Sequence, residues 1–171
     1  MDEHHRLRQI LLETLRLKEL ERTGWVRAGV EAPESVAAHS WGVAWLVLVL
    51  CPPHLDLERA LAMAVLHDLA EVRTGDITPH CGISPERKST AERRALQGML
   101  VGLPRASQLN GLWAECEQRR SLEARFVRAC DKLDMALQAT RYAERGHDLQ
   151  EFIDSALVEL DEPAMRALAG G

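Results

Sequence analysis

Residues 64–71 read Ala-Val-Leu-His-Asp-Leu-Ala-Glu, and this run decides how the fold and the chemistry of the chain are interpreted. An apolar helical segment leads here into two adjacent polar residues, His67 and Asp68. On a helix their side chains point about 100° apart, so both can flank one ion above the edge between them. The run therefore predicts a helix that carries metal ligands near its end.

Segments on both sides of this run also have helical spacing, and alternating, strand-like stretches are hard to find. An all-α fold is therefore predicted, with loops at 24–34 and 73–82 and a mobile tail after Leu160. The predicted helices run from the start of the chain to about Leu20, from the Ser35 cap through the apolar Val43–Cys51 run, from Leu57 to Glu71, from Pro85 to Gly102, from Leu109 to Glu117, from Ser121 toward Gly146, and from Leu149 to Leu160.

Helical periodicity also predicts which side chains face the core. Trp41 and Trp45, one turn apart in an apolar helix, are placed in the core. The other predicted inward-facing residues are Leu7, Ile10, Leu11 and Leu15 on the first helix, Ala60, Leu61, Ala64 and Val65 on the third, and Phe126, Cys130, Leu133 and Leu137 on the long helix after Ser121.

The composition narrows the class of protein. The 171 residues fit a single domain, 1–171, with a core at about 6–160. A net charge of −5, with both signs spread along the chain, argues against a nucleic-acid duplex as partner. The longest apolar run is about half of the ~18 residues that a membrane span requires, so no membrane partner is expected. Four cysteines, with neither C-x-x-C spacing nor a secretory segment, predict reduced thiols in a cytoplasmic protein.

Two distant residues extend the candidate ligand set. His39 and Asp131 are each conspicuous as a polar side chain at the end of a small or apolar segment. Together with His67 and Asp68 they supply two imidazoles and two carboxylates, a set that suits a divalent transition metal that activates water. Asp134, three residues beyond Asp131, is the alternative for the fourth ligand, because helix geometry does not exclude it.

Two more carboxylates lie near the predicted metal. Glu71 is one turn beyond His67, on the same side of a helix, so it can act as a general acid or base without being a ligand. Asp76 follows Gly75 in the loop and can fold back over the same place. His80, further along that loop, is a candidate substrate contact.

His39, the His67-Asp68 doublet and Asp131, in this order, resemble the H…HD…D signature of the HD-domain metal-dependent phosphohydrolases. Further segments, over most of the chain, are similar to the 5′-deoxynucleotidase group of that superfamily. They are Leu17-Lys18, Arg22-Thr23-Gly24-Trp25-Val26, Pro33 to His39, His67 to Glu71, Gly75-Asp76-Ile77, Leu112-Trp113, Glu123 to Val127 and Asp131 to Met135.

The resemblance implies a fold and an activity. The fold would be a dimeric, all-α HD-domain helical bundle, and the substrate a small-molecule nucleotide. The reaction would remove the 5′-phosphate from deoxyribonucleoside 5′-monophosphates, using metal-activated water. Cobalt or manganese would be the divalent metal ion, with magnesium, zinc, iron and copper as alternatives. The metal ligands would be His39, His67, Asp68 and Asp131, and the catalytic residues Glu71 and Asp76.

Substrate contacts follow the resemblance less closely. Trp25 matches a family tryptophan that lies near the sugar and helps to exclude a 2′-hydroxyl; anchoring of the loop to the core is its structural alternative. In some bacterial members an arginine that contacts phosphate precedes this tryptophan, whereas this chain has Gly24. Arg22 and Arg27 are the predicted replacements.

Three alternative functions remain open from the sequence. The same metal site would also serve a hydrolase of another nucleotide, namely a triphosphate, an alarmone or a cyclic nucleotide. A di-iron oxygenase needs additional histidine ligands, for which His80 is the main candidate. A non-catalytic, metal-stabilised module that binds nucleotides has no use for Glu71 and Asp76.

Overall fold

The computed structural model describes residues 3–171, which are predominantly helical and contain no strand. The predicted all-α fold is confirmed. The α-helices are α1 (Glu3–Thr14), α2 (Thr23–Arg27), α3 (Val36–Leu50), α4 (Leu57–Leu66), α5 (Glu71–Thr74), α6 (Pro85–Leu100), α7 (Ala106–Glu117), α8 (Leu122–Ala143), α9 (Gln150–Glu159) and α10 (Pro163–Leu168); short 3₁₀ helices span Leu15–Lys18 and Pro79–Cys81.

The centre of the fold is formed by α3, α4 and α8, which pack against one another. Their contacting faces supply the fully buried residues Val43, Val47, Ala60, Met63, Cys130 and Leu133. Helix α9 packs along α8, and α6 and α7 pack side by side at the other flank. No helix in residues 3–171 combines the length and apolarity needed to cross a membrane.

Side-chain caps fix the starts of the three central helices. Ser35 accepts a hydrogen bond from the backbone N–H of Ala38, and Asp56 accepts one from that of Arg59. Ser121 does the same at the start of α8. Such caps satisfy backbone donors that lack a partner inside the helix. The predicted start of α3 at Ser35 agrees with the structure.

Several predicted boundaries differ from the structure. The first helix passes into a 3₁₀ turn at Leu15, and the predicted loop 24–34 opens with α2. The third helix ends at Leu66, and residues 67–70 form a tight turn in which the N–H of Glu71 bonds the carbonyl of Asp68 at 3.0 Å. Each such hydrogen bond joins an N–H to the carbonyl three residues earlier, as in a 3₁₀ helix. The α-helix therefore does not continue through this turn.

The segment after Leu160 corrects the prediction of a mobile tail. It forms α10, whose Met165 is 6% exposed and whose C-terminal neighbour Ala169 is 3% exposed. Both residues belong to the main core and the helix packs on α8. The tail is folded because these two apolar residues, one turn apart, pack into the main core against α8.

Several residues that periodicity placed in the core are exposed. Trp41 is 71% and Trp45 53% exposed, so the prediction that they are core residues is wrong. Helix α3 is apolar on nearly all sides, and only the side with Val43 and Val47 faces α4 and α8. Four more of the residues that were predicted to face the core are exposed: Leu11, Leu15, Val65 and Leu137.

Candidate active site

The four predicted metal ligands converge from three parts of the chain. His39 lies on α3, His67 and Asp68 lie in the turn after α4, and Asp131 lies on α8. His39 Nε2 is 3.2 Å from Asp131 Oδ1 and 3.6 Å from Asp68 Oδ2. His67 Nε2 is 3.2 Å from the same Asp68 oxygen and 3.4 Å from His39 Nε2. The three side chains of His39, His67 and Asp131 could therefore hold one ion, and Asp68 lies beside both histidines without belonging to this mutually close group.

The outer nitrogens of the two imidazoles are already engaged. His67 Nδ1 donates a hydrogen bond to the carbonyl of Ala64 at 2.7 Å, and His39 Nδ1 lies 2.7 Å from Asp134 Oδ2. Both Nε2 atoms therefore face inward, where each can offer its lone pair to a metal once it has lost its proton. Ligand atoms of His39, His67 and Asp131 all lie within 4.8 Å of one another. This donor set fits a divalent transition metal.

The carboxylates of the site are held in the ionised form. Burial alone would raise the pKa of Asp131, but a hydrogen bond from His39 and the charge of Arg128 keep it well below its ordinary value. Burial is likewise overcome at Asp68, whose pKa is lowered by His67. Burial opposes protonation of His39, yet hydrogen bonds with Asp131 and Asp134 raise its pKa to about 9. The carboxylates are thus ionised and available to a cation, and a bound metal ion would take the place of the proton on His39.

Glu71 is close to this cluster without joining it. It is 3% exposed, and its Oε2 has no hydrogen-bond partner within residues 3–171. Burial, followed by the charges of Asp68 and Asp76, raises the pKa of Glu71 to about 10. A buried carboxyl group with a free oxygen is suited to exchange a proton with a ligand.

Asp76 returns to the site as predicted, because Gly75 turns the chain. Gly75 has φ 75°, a conformation that favours glycine, and ends α5. Asp76 Oδ2 then accepts a hydrogen bond of 2.7 Å from the backbone N–H of Thr23, and the Thr23 hydroxyl donates to the Asp76 carbonyl at 2.8 Å. These bonds join the loop to the start of α2.

A cavity of about 550 Å³ opens onto these residues, within the usual range of small-molecule sites. Asp68, Glu71, Asp76 and Asp131 line its inner part. Its lining also includes the predicted residues Trp25, Arg22, Arg27 and His80, and the apolar residues Ile77, Met135 and Phe152. The cavity therefore combines a metal-binding end with an apolar wall.

The three predicted substrate contacts differ in their surroundings. Trp25 is 1% exposed, packs against Phe152 at 4.4 Å between ring centroids, and donates from Nε1 to Glu34 at 2.9 Å. Arg22 reaches Asp68 Oδ2 at 3.5 Å. Arg27 instead binds Glu151 at 2.6 Å and lies over the Phe152 ring.

Sequence reasoning missed three cations that line the cavity, Lys88, Arg128 and Lys132. Lys88 on α6 lines the cavity and donates to the carbonyl of Ile77 at 2.8 Å. Arg128 binds Asp131 Oδ2 at 2.8 Å and holds Glu159 through its other nitrogens. The spacing of Arg128 and Asp131, one helical turn apart, was a usable signal for this pair. No local pattern marks Lys88, because its position depends on how α6 packs.

Comparison with known proteins defines the family. The HD domain model matches residues 14–166, so the chain belongs to the HD domain family, and the resemblance found in the sequence is confirmed. Human 5′-deoxynucleotidase HDDC2 is 37% identical over 162 residues, which cover 90% of this chain and 79% of the human protein. The Dictyostelium discoideum 5′-deoxynucleotidase HDDC2 is 35% identical over 170 residues, or 90% of both chains.

A solved structure gives the same result for the fold. The crystal structure of the PH0347 protein from Pyrococcus horikoshii OT3 matches with a TM-score of 0.81 and 34% sequence identity. The match covers 95% of this chain and 98% of the Pyrococcus chain. The helical fold of this chain is therefore shared with a protein of known structure.

Proposed function

We propose that this protein removes the 5′-phosphate from deoxyribonucleoside 5′-monophosphates. The convergence of His39, His67, Asp68 and Asp131 at the inner end of a nucleotide-sized cavity carries the proposal. These four residues are the proposed metal ligands. The similarity to 5′-deoxynucleotidases over 90% of the chain supports the substrate class. Cobalt or manganese is the proposed ion on the resemblance to the 5′-deoxynucleotidase group, and imidazole with carboxylate ligands accepts these and other divalent metals.

A divalent ion held there would supply Lewis-acid chemistry, by polarising a phosphoryl oxygen and making water more acidic. The chain supplies the proton transfers. Glu71, whose raised pKa keeps it protonated, donates its proton to the leaving 5′-oxygen as the phosphorus–oxygen bond breaks. Asp76, fixed by Thr23, accepts the proton of the attacking water.

The cations of the cavity are the proposed phosphate contacts. A phosphate monoester is a dianion near neutral pH, and positive side chains neutralise its charge. Arg22, which contacts Asp68, and Lys88, which lies among the same carboxylates, are placed to do this at the inner end. Arg27 is proposed to close the outer end, because Glu151 and Phe152 hold it there.

Trp25 is proposed to select the sugar. Its ring forms part of the apolar wall with Phe152, and its indole N–H is already used by Glu34. No donor of Trp25 is thus left for a 2′-hydroxyl, which would meet an apolar surface. Burying a hydroxyl without a hydrogen bond costs about 1–3 kcal/mol, which corresponds to a preference for deoxyribose of roughly 5- to 150-fold.

The test is phosphate release by metal-stripped protein that is reloaded separately with cobalt, manganese, magnesium or zinc. Matched deoxyribo- and ribonucleoside 5′-monophosphates are the substrates. We expect metal-dependent hydrolysis that favours the deoxy series, and Trp25→Leu should reduce the preference more than it reduces kcat. Protein that binds metal but releases no phosphate with any ion would overturn the proposal. Hydrolysis of triphosphates or cyclic nucleotides alone would change the substrate class.

A homodimer in the cytoplasm is also proposed, with the single domain 1–171 as its unit. Trp41, Trp45 and Leu48 follow one another at helical spacing on α3, and all are at least half exposed. Monomeric proteins rarely leave such an apolar stripe uncovered, so a second copy of this chain is the proposed cover. The four unpaired cysteines agree with a reducing compartment.

A further inference from the structure

His39 lies between two carboxylates of the same helix. Its imidazole is completely buried, with Nε2 at 3.2 Å from Asp131 Oδ1 and Nδ1 at 2.7 Å from Asp134 Oδ2. Asp131 and Asp134 are one turn apart on α8, so the ring spans the distance between them. Of these carboxylates, only Asp131 faces the nitrogen that points toward His67 and Asp68.

The contact between Asp134 and His39 depends on a glycine. A Cβ atom on Gly42 would lie 2.1 Å from Asp134 Oδ1 and 2.9 Å from its carboxyl carbon. Gly42 lies in the interior of α3, three residues after His39, where glycine is a poor helix former. Only the missing side chain lets the Asp134 carboxylate approach α3 at this point.

Glu34, His39 and Asp134 could be viewed as a second metal group, since their ligand atoms also lie within 4.8 Å of one another. Two contacts argue against that. Glu34 already accepts the indole N–H of Trp25 at 2.9 Å. The 2.7 Å between His39 Nδ1 and Asp134 Oδ2 is the length of a charge-assisted hydrogen bond.

We propose that Asp134 is a positioning residue for the metal centre and not a metal ligand. Its carboxylate accepts a hydrogen bond from His39 Nδ1–H, which fixes the tautomer whose Nε2 lone pair points at the ion. It also fixes the rotation of the ring, and Gly42 provides the space for the contact. This inference rests on the proposed metal site, although not on the proposed substrate.

The test compares metal binding by Asp134→Ala, Asp134→Asn and Gly42→Ala with that of the parent protein and of Asp131→Ala, which removes a proposed ligand. Gly111→Ala is the matched control: it adds the same methyl group inside a helix, with no atom within 4 Å of the new Cβ. Cobalt affinity is measured by competition with a chelator, and the visible spectrum of the cobalt-loaded protein reports ligand geometry. Circular dichroism of each metal-free variant checks the fold.

We expect Asp134→Ala to weaken cobalt binding by about 10–100-fold and to alter the visible spectrum, because the ring is no longer held. Gly42→Ala should have an effect of the same kind, since the methyl group displaces the Asp134 carboxylate. Asp134→Asn should bind more tightly than Asp134→Ala, because the amide oxygen still accepts from Nδ1. Gly111→Ala should match the parent.

Two results would overturn the inference. Parental affinity and spectrum in both Asp134 variants would show that the contact does not position His39. Loss of binding in Asp134→Asn as complete as in Asp131→Ala would show that Asp134 is a ligand. Failure of the proposed function is recognised separately, because a parent protein that binds cobalt and releases no phosphate leaves the binding comparison intact.

Discussion

At the scale of single residues, Glu71 separates an enzyme from an idle metal site. Its Oε2 is buried without a hydrogen-bond partner in the described part of the chain, and leaving such an atom unpaired costs free energy. A ligand oxygen that takes up this hydrogen bond would remove the cost. The residue thus reduces the stability of the free protein at the point where a substrate would bind.

Glu71→Gln is therefore expected to lower kcat by about 10²–10⁴-fold, the contribution typical of a general acid or base. Metal content should remain that of the parent, because Glu71 is not a proposed ligand. Steady-state kinetics and elemental analysis of the purified variant test both statements. Glu58→Gln, which changes an exposed carboxylate on α4, serves as the control. Retained turnover in Glu71→Gln would remove Glu71 from the mechanism.

Glu92 makes the stability of the fold depend on pH. It is 5% exposed, and burial raises its pKa from 4.5 to about 7 against the opposing charge of Lys88. A raised pKa means that the folded state binds the proton more tightly than the unfolded chain does. The stabilisation of the folded state that depends on protonated Glu92 is therefore fully present below pH 4.5 and is lost as the pH rises through about 7.

Glu92→Gln should remove this dependence. The variant and the parent should have similar free energies of unfolding at about pH 4.5. By about pH 8, the free energy of unfolding of the variant should exceed that of the parent by up to roughly 3 kcal/mol. Urea unfolding of metal-stripped protein across this range measures the difference. A difference between the two proteins that stays constant with pH would show that Glu92 does not titrate as described.

At the scale of elements, α3 shows what periodicity can predict. The helix itself, its Ser35 cap and its inward His39 follow from local patterns. Which side of α3 is buried does not follow from these patterns, because a helix that is apolar all round has no distinct apolar face. The packing of α4 and α8 decides that Val43 is buried while Trp41 is exposed.

The candidate site, like α3, has features that local sequence patterns predict and features that they do not. The candidate ligands could be predicted because polar side chains in apolar helices are conspicuous whatever the packing. The hydrogen bond between His39 and Asp134 and the position of Lys88 could not, because they depend on how α3, α6 and α8 are placed. Trp113 is a further example: its indole N–H donates to the carbonyl of His67 at 3.1 Å, which no spacing indicates.

Helix α10 offers a test of its role in the core. Met165→Ala should destabilise the protein by about 2–4 kcal/mol, because a buried side chain leaves a cavity. Leu168→Ala, on the exposed side of the same helix, should change stability by no more than about 0.5 kcal/mol. Chemical denaturation of both variants decides whether α10 is part of the cooperative unit; equal, small effects would mean that it is not.

At the scale of the whole molecule, assembly is predicted to depend on the exposed α3 stripe. The double variant Trp41→Glu, Trp45→Glu should be a monomer in light scattering at concentrations where the parent is a dimer, because charge at a buried interface is costly. Val158→Glu places the same charge at an 83% exposed apolar residue of α9 and should leave the dimer intact. A monomeric parent protein would contradict the proposed homodimer.

The placement of the four tryptophans divides the intrinsic fluorescence of the protein into two signals. In the monomer, Trp41 and Trp45 on the surface of α3 should emit at longer wavelength and be quenched by iodide, and both effects should weaken when the dimer covers them. Trp25 and Trp113 are shielded, and Trp113 donates its indole N–H to the carbonyl of a candidate ligand. A paramagnetic ion in the centre should quench Trp113, whose indole N–H is bonded to the backbone of His67. Without any attached dye, the same sample would therefore report subunit assembly through Trp41 and Trp45 and occupancy of the centre through Trp113.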